Sequence, residues 1–179
     1  MKKKLCCIFC HWTPVSIDNI SEDIKYRVID IKNDTYFAIL DCSPKILGHT
    51  LVIAQEHYSD ILDGQLHKDE KESEINEKIF KGALKVARWL KERLGANKVY
   101  IVTMCEHWEG KDGSEHLHYH LIPQYKQKPV EGKDIVAEDL IARKGNSIEQ
   151  RWFKEILRQI ADKINPDLKQ IREQAILDN

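Results

Sequence analysis

Three histidines stand at alternate positions in the run His116-Leu117-His118-Tyr119-His120-Leu121-Ile122. Imidazole is the side chain whose ordinary pKa lies nearest neutrality, so it can give, take or hold a proton at working pH. Alternation is the period of a strand, in which residues i, i+2 and i+4 project from one face. One face of this strand is expected to be all imidazole and the other apolar, with Pro123 ending the run. Solvated strand histidines would be the bland reading, but three of the chain's eight histidines in one register make it a poor one. Two chemistries remain: a metal site, or a phosphate site in which one imidazole is the nucleophile.

A second constellation lies near the start, where Cys7-Ile8-Phe9-Cys10 has the Cys-x2-Cys spacing with which two thiolates grip one tetrahedral ion. No second such pair exists to complete a four-cysteine site. The missing ligands can come from histidines brought close by folding: His49 and His57 flank an apolar run, and His116 opens the triad. The alternatives are a buried, metal-free cysteine pair or a redox dithiol.

These residues need a frame to hold them. Residues 25–31 and 35–41 read as two strands joined by turn chemistry at Lys32-Asn33-Asp34, and Thr50-Leu51-Val52-Ile53-Ala54 as a third. From Asp69 to Leu94 the period changes. Ile75, Ile79, Ala83, Val86, Leu90 and Leu94 recur every three or four residues, which predicts one long amphipathic helix ended by Gly95. Lys98–Met104 reads as a fourth strand, followed by a polar loop and the histidine strand. Beyond Tyr125 the composition turns to Lys, Gln, Pro and Gly. A second helix then shows Ile148, Trp152, Ile156 and Ile160 at i, i+4 spacing, and Asn165-Pro166 supplies the cap and first residue of a last short helix. The expected architecture is α+β, an antiparallel sheet with one long helix and a helical C-terminal extension, divided into residues 1–126 and 127–179.

Bulk composition narrows the function classes. The 179 residues carry 28 Lys plus Arg against 29 Asp plus Glu, so charge alone recruits neither nucleic acid nor an anionic membrane. No stretch has the length and apolarity of a membrane helix. The start, Met1-Lys2-Lys3-Lys4-Leu5-Cys6-Cys7, looks superficially like a signal peptide, but its apolar run is short and no small-residue cleavage site follows. The five cysteines form no disulfide framework, which fits a reducing compartment, and a cytoplasmic protein is the expectation.

Taken together, Cys7-Ile8-Phe9-Cys10, Gly48-His49-Thr50-Leu51-Val52-Ile53 and His116-Leu117-His118-Tyr119-His120-Leu121-Ile122-Pro123 resemble the histidine-triad (HIT) superfamily, over roughly residues 5–125. The resemblance implies an enzyme that binds a small-molecule nucleotide and cleaves or transfers at the α-phosphorus through a nucleotidyl-histidine. It makes His118 the nucleophile, with His120 and His49 donating to phosphate oxygens. It matches Asp41 to the acid that holds the ribose hydroxyls, the alternative being a solvated strand-end carboxylate; Ile39 and Phe37 are candidates to line a base pocket, the alternative being plain core. In zinc-bearing relatives the Cys-x-x-Cys pair is joined by two histidines, which here are His57 and His116, so Cys7, Cys10, His57 and His116 would hold a structural Zn2+, with His49 a fallback for the fourth ligand. Relatives are often homodimers.

The chain departs from the family pattern between residues 105 and 115. Relatives carry an Asn-x-Gly segment and a Gly-Gln-Ser/Thr stretch there, and both are missing; Ser114 or Lys111 can meet the phosphate instead, and Trp108 can stack on a base. Two rivals follow. One is a non-catalytic nucleotide-binding or scaffold protein of the same fold. The other is a zinc-dependent hydrolase with the triad itself as metal ligands.

Overall fold

The computed structural model describes residues 7–12, 19–20, 22–32, 35–42, 44–58, 70–103, 116–126 and 147–177. Two short helices come first, α1 (Ile8–Trp12) and α2 (Glu22–Lys25). The strands β1 (Val28–Lys32), β2 (Tyr36–Leu40) and β3 (Thr50–Ala54) follow, then the long helix α3 (Glu70–Leu94). Strands β4 (Lys98–Thr103) and β5 (His118–Gln124) precede helix α4 (Ser147–Ile164), a 3-10 turn (Pro166–Leu168) and helix α5 (Lys169–Leu177). The fold is α+β: one five-stranded sheet in the order β1-β2-β3-β5-β4, every neighbouring pair antiparallel. No helix among the described residues is long and apolar enough to cross a membrane.

Period-2 alternation sorts the strand residues onto two faces. One face carries Tyr36, Ala38, Leu40, Val52, Ala54, Tyr119 and Leu121, against which α3 lays Ile79, Ala83, Val86 and Leu90. Gly82 lets the helix come this close, since a Cβ there would stand 2.4 Å from the ring of Tyr36. The helix ends before Gly95, whose φ is +76°. Helix α4 joins the same layer through Leu157, Ala161 and Ile164. The opposite face carries Phe37, Ile39, Leu51 and Ile53 and is covered by Phe9, Trp12, Ile20 and Ile24 from the N-terminal side and by Leu168 and Ile171 from the C-terminal side.

Two local expectations are corrected. Residues 25–27 are not strand: Arg27 closes a turn onto Ile24 (N–H to O, 2.9 Å), buries its side chain and donates from Nη1 to the Leu40 carbonyl at 2.6 Å, so β1 begins at Val28. Pro123 does not end the histidine strand, because it pairs with Val99 inside β5. Asn97 donates to the Gln124 carbonyl, so Gln124 turns its polar groups to β4 and Pro123, one residue earlier, turns the other way. On that side the β3 pairing has already stopped at Thr50↔Leu121, and no ladder bond is lost to the missing N–H.

The C-terminal extension wraps the sheet. Asn165 caps the 3-10 turn by accepting from Asp167 N–H and also donates from Nδ2 to the Ile29 carbonyl at 2.7 Å. Arg172, fully buried, donates to the carbonyls of Val28 (2.6 Å) and Asn165 (2.5 Å) and from Nε to Asp162 (2.7 Å). The Val28 and Ile29 carbonyls lie where the β1–β2 register is irregular, between Val28 and Asp30. The free edge of β1 is thereby taken up by side chains instead of another strand.

Candidate active site and metal centre

Backbone register decides which histidines meet. In the β3–β5 ladder Ile53 faces His118 and Leu51 faces His120, so those two imidazoles stand on the face that α1 and α2 partly cover. His116 lies just before β5 and is fully buried. Its neighbour Leu117 exchanges backbone bonds with Tyr58 and Ala54 (2.7 and 3.0 Å), which turns the His116 ring toward the N-terminal segment. The alternation holds: Leu117, Tyr119 and Leu121 pack in the α3 layer, Phe9 meets the rings of both His116 and His118 on the other side, and His116 turns its Nδ1 to the thiols. His49 enters just ahead of β3: Gly48 takes φ +79°, and Asp41 N–H donates to the His49 carbonyl at 2.9 Å, continuing the β2–β3 pairing by one step. Tyr125 donates to the Leu47 carbonyl at 3.1 Å and braces this loop; burial raises its phenol to about 12.

The polar atoms form a chain whose proton order can be read from one end. His118 Nδ1 is 2.7 Å from the His116 carbonyl, which only accepts, so Nδ1 carries a hydrogen; with that one hydrogen on the ring, Nε2 is bare. His118 Nε2 is 3.1 Å from His120 Nε2, so His120 donates there and keeps a bare Nδ1. His49 Nε2 is 3.0 Å from that Nδ1 and donates to it. His49 Nδ1 is then bare, receiving Lys45 N–H at 3.3 Å with an Asp41 carboxylate oxygen 3.3 Å away. Burial holds His120 down to about 4, helped by the charges of His118 and His49 and opposed by Asp41. His49 is lowered too, chiefly by burial, against the pull of Asp41. Both rings are neutral near pH 7.

The second cluster is thiol and imidazole. Cys7 Sγ is 3.4 Å from His116 Nδ1, Cys10 Sγ is 3.5 Å from the same nitrogen and 3.2 Å from His57 Nδ1, and the two nitrogens are 3.3 Å apart. A tetrahedral zinc with bonds of about 2.3 Å to sulfur and about 2.05 Å to nitrogen sets S···N near 3.5 Å and N···N near 3.3 Å. The donor set fits the ion. His116 also spends Nε2–H on the Ala54 carbonyl at 2.8 Å, which fixes Nδ1 as its ligating nitrogen, and burial lowers its pKa to about 4. His49 stands apart from this cluster. It groups with Asp41 and His120, which approach opposite nitrogens of its ring.

The remaining sequence-based candidates divide. Ile39 is fully buried, packed with Phe37, Leu51 and Ile53. Asp41 stands at the rim, 15% exposed. Ser114, Lys111 and Trp108 lie outside the described residues. Sequence reasoning missed Phe9, whose ring lies 4.8 Å from that of His118 and 5.6 Å from that of His116. It also missed Trp12, over which Arg27 sits at 4.8 Å. Phe9 falls between Cys7 and Cys10, so once the pair is placed beside His116 its ring cannot be far from the triad. That was the available signal.

Comparison with known proteins agrees with this fold. The HIT domain family matches residues 23–127. A HIT-like protein of Saccharolobus solfataricus is 29% identical over 161 residues, covering 86% of this chain and 99% of the relative. One from Borreliella burgdorferi is 30% identical over 159 residues, covering 87% and 96%. Among solved structures, a Zn-bound histidine triad family protein from Mycobacterium smegmatis shares the fold, with a TM-score of 0.50, 22% identity, and 90% and 96% of the two chains covered.

Proposed function

Because the chain belongs to the HIT domain family, we propose that it is a nucleotide hydrolase or nucleotidyltransferase. It acts at the α-phosphorus of a nucleotide conjugate, a dinucleoside polyphosphate or a nucleoside phosphoramidate, through a nucleotidyl-His118 intermediate. One observation carries this reading: the imidazole chain ends on the His116 carbonyl, which leaves His118 Nε2 bare as an acceptor. A neutral imidazole locked in one tautomer is the form that attacks phosphorus.

In the first displacement His118 Nε2 forms the bond to phosphorus as the bond to the leaving group breaks. His120 Nε2–H, which rests against that nitrogen, is placed to protonate the departing atom, and His49 holds the His120 ring in line. Water, phosphate or another acceptor then releases the nucleotide. Asp41, at the rim beside His49, is placed to meet the ribose hydroxyls, and Phe9 walls the nucleophile on the side of the metal cluster.

Cys7, Cys10, His57 and His116 are the residues that would hold zinc. When bound, the ion would supply structure rather than chemistry, tying the N-terminal segment to the strand that carries the nucleophile. The rival with the triad itself on a catalytic metal draws less support, because His116 turns its ligating nitrogen to the thiols and His118 spends Nδ1 on a carbonyl. The scaffold reading has no observation in its favour among the described residues. A homodimer through β4 is also proposed. With the start of the β1 edge met by Asn165 and Arg172, β4 is the more open edge of the sheet among the described residues, and it presents Tyr100 and Val102 exposed.

The test is turnover of adenosine phosphoramidate and diadenosine polyphosphates with and without a strong chelator. His118→Ala should fold and lose at least about a thousandfold in kcat/KM. Near wild-type turnover by this variant would overturn the covalent mechanism.

A further inference from the structure

The proton order just described leaves one question of balance. Protonating a leaving group costs His120 its Nε2 hydrogen, and the ring must recover it without passing through an anion. His120 Nδ1 faces His49 Nε2–H at 3.0 Å. His49 itself is 1% exposed, so its replacement proton must come through a neighbour. Among the described residues its other nitrogen meets two groups. The Lys45 amide is a backbone donor that cannot release its hydrogen, and it sits at the long distance of 3.3 Å. The second is the Asp41 carboxylate, also at 3.3 Å and 15% exposed. Among the described residues, the charged and titratable groups facing these rings are Asp41, Lys45 and His118, besides the rings themselves.

We propose that Asp41 is the proton port of the site, a positioning residue that acts through His49 to renew the proton His120 gives to the leaving group. This rests on the nucleotidyl-transfer reading above and adds to the ribose contact which that reading gives Asp41. In the first step the His118 Nε2 lone pair forms the bond to phosphorus, and the bond to the leaving atom breaks with its electron pair. That atom takes the proton from His120 Nε2. His120 regains one at Nδ1 from His49 Nε2, and His49 gains one at Nδ1 from the Asp41 carboxyl, which draws it from solvent. His120 and His49 invert their tautomers and stay neutral, while His118, bonded to phosphorus at Nε2 and keeping its Nδ1 hydrogen, carries the positive charge until the second step. In the second step water attacks phosphorus and the electron pair of the N–P bond returns to His118. The water proton enters at His120 Nε2, and the chain runs back to discharge at Asp41. The proton borrowed from solvent in the first step is returned in the second.

A port and a ribose clamp differ in what they owe to the leaving group. An amine needs a proton to depart, whereas p-nitrophenolate leaves without one. The experiment compares wild type with Asp41→Asn on adenosine phosphoramidate and on the p-nitrophenyl ester of AMP, each also as its 2′,3′-dideoxy form. The loss in kcat on the phosphoramidate should exceed that on the ester by at least about tenfold and persist in the dideoxy pair. Equal losses on both leaving groups, or losses that vanish without the ribose hydroxyls, overturn the proposal. Nitrogen-15 spectra of the imidazoles judge it independently of turnover: Asp41→Asn should shift the His49 and His120 ring nitrogens, and unchanged resonances would sink it. If wild type cleaves neither probe the transfer reading falls, and the spectra alone decide whether Asp41 governs the chain.

Discussion

His116 serves two neighbours at once. Its ring is held at Nε2 by Ala54 and faces the thiols at Nδ1, while its carbonyl fixes the tautomer of His118. Cys10→Ser should therefore do more than lower zinc content. Metal analysis should show the loss, and denaturant unfolding should show a stability drop of at least about 3 kcal/mol, since structural zinc contributes directly to folding. Full zinc content in this variant would refute the assigned ligand set. The buried rings also make stability depend on pH. His120 titrates near 4 when folded, against 6.5 as an ordinary imidazole, so between those values the unfolded chain binds more protons. Stability is whole above about 6.5, declines as pH falls toward 4 and levels below it. Urea midpoints across that range should show the decline, and His120→Asn should make it shallower, with His116 and His49 supplying the remainder. The triad and the Cys-x-x-Cys spacing were legible because strand alternation and ligand spacing are local. That His116 turns to the thiols was legible only through the family resemblance, because in the chain itself it depends on Leu117 bonding to Tyr58 and Ala54, far away in sequence.

At the scale of elements, the helix over residues 70–94 and the strand 50–54 were legible because a strong apolar period and a single buried run leave one solution. The start of β1 was not legible. A β-rich stretch read as strand from residue 25, whereas the Arg27 side chain needed the Leu40 carbonyl and bent the chain into a turn. Pro123 misled for a similar reason, since only the sheet order shows that its missing donor falls beyond β3. The order also bears on assembly. Tyr100 and Val102 alternate with the partly buried Val99 and Ile101 along β4, which pairs with no strand but β5 among the described residues and so presents an edge with apolar side chains. Light scattering on the purified protein should report a dimer, and Val102→Lys should shift it toward monomer, as inward or edge charges block strand pairing. A monomeric wild type at micromolar concentration would rule the β4 interface out.

Across the whole molecule, the C-terminal extension reads in sequence as an appendage with unknown purpose, and in the structure it is part of the core. Leu157, Ala161 and Ile164 join the α3 layer, and Leu168 and Ile171 cross to the opposite face. Charge bookkeeping would never have placed Arg172, which is fully buried between Asp162 and two carbonyls. Arg172→Met should destabilise the protein by about 3 kcal/mol, because Val28 and Asn165 lose buried donors, though Asp162 keeps Arg158 at 2.7 Å. Equilibrium urea unfolding measures it, and a change under about 0.5 kcal/mol would mean the clasp is dispensable.

The cluster that closes over Phe37 and Ile39 draws Phe9 and Trp12 from one end of the described chain and Leu168 and Ile171 from the other. Contacts between such distant stretches form late, because closing a long loop costs entropy before any contact repays it. Adjacent elements, the β1–β2 hairpin and α3 on its sheet face, can assemble first and stand open on the side of His118. The thiols beside His116 arrive with that last closure. A folding chain is thus expected to lack its metal-binding pocket, and its nucleophile the Phe9 wall, until the N-terminal segment has reached the sheet.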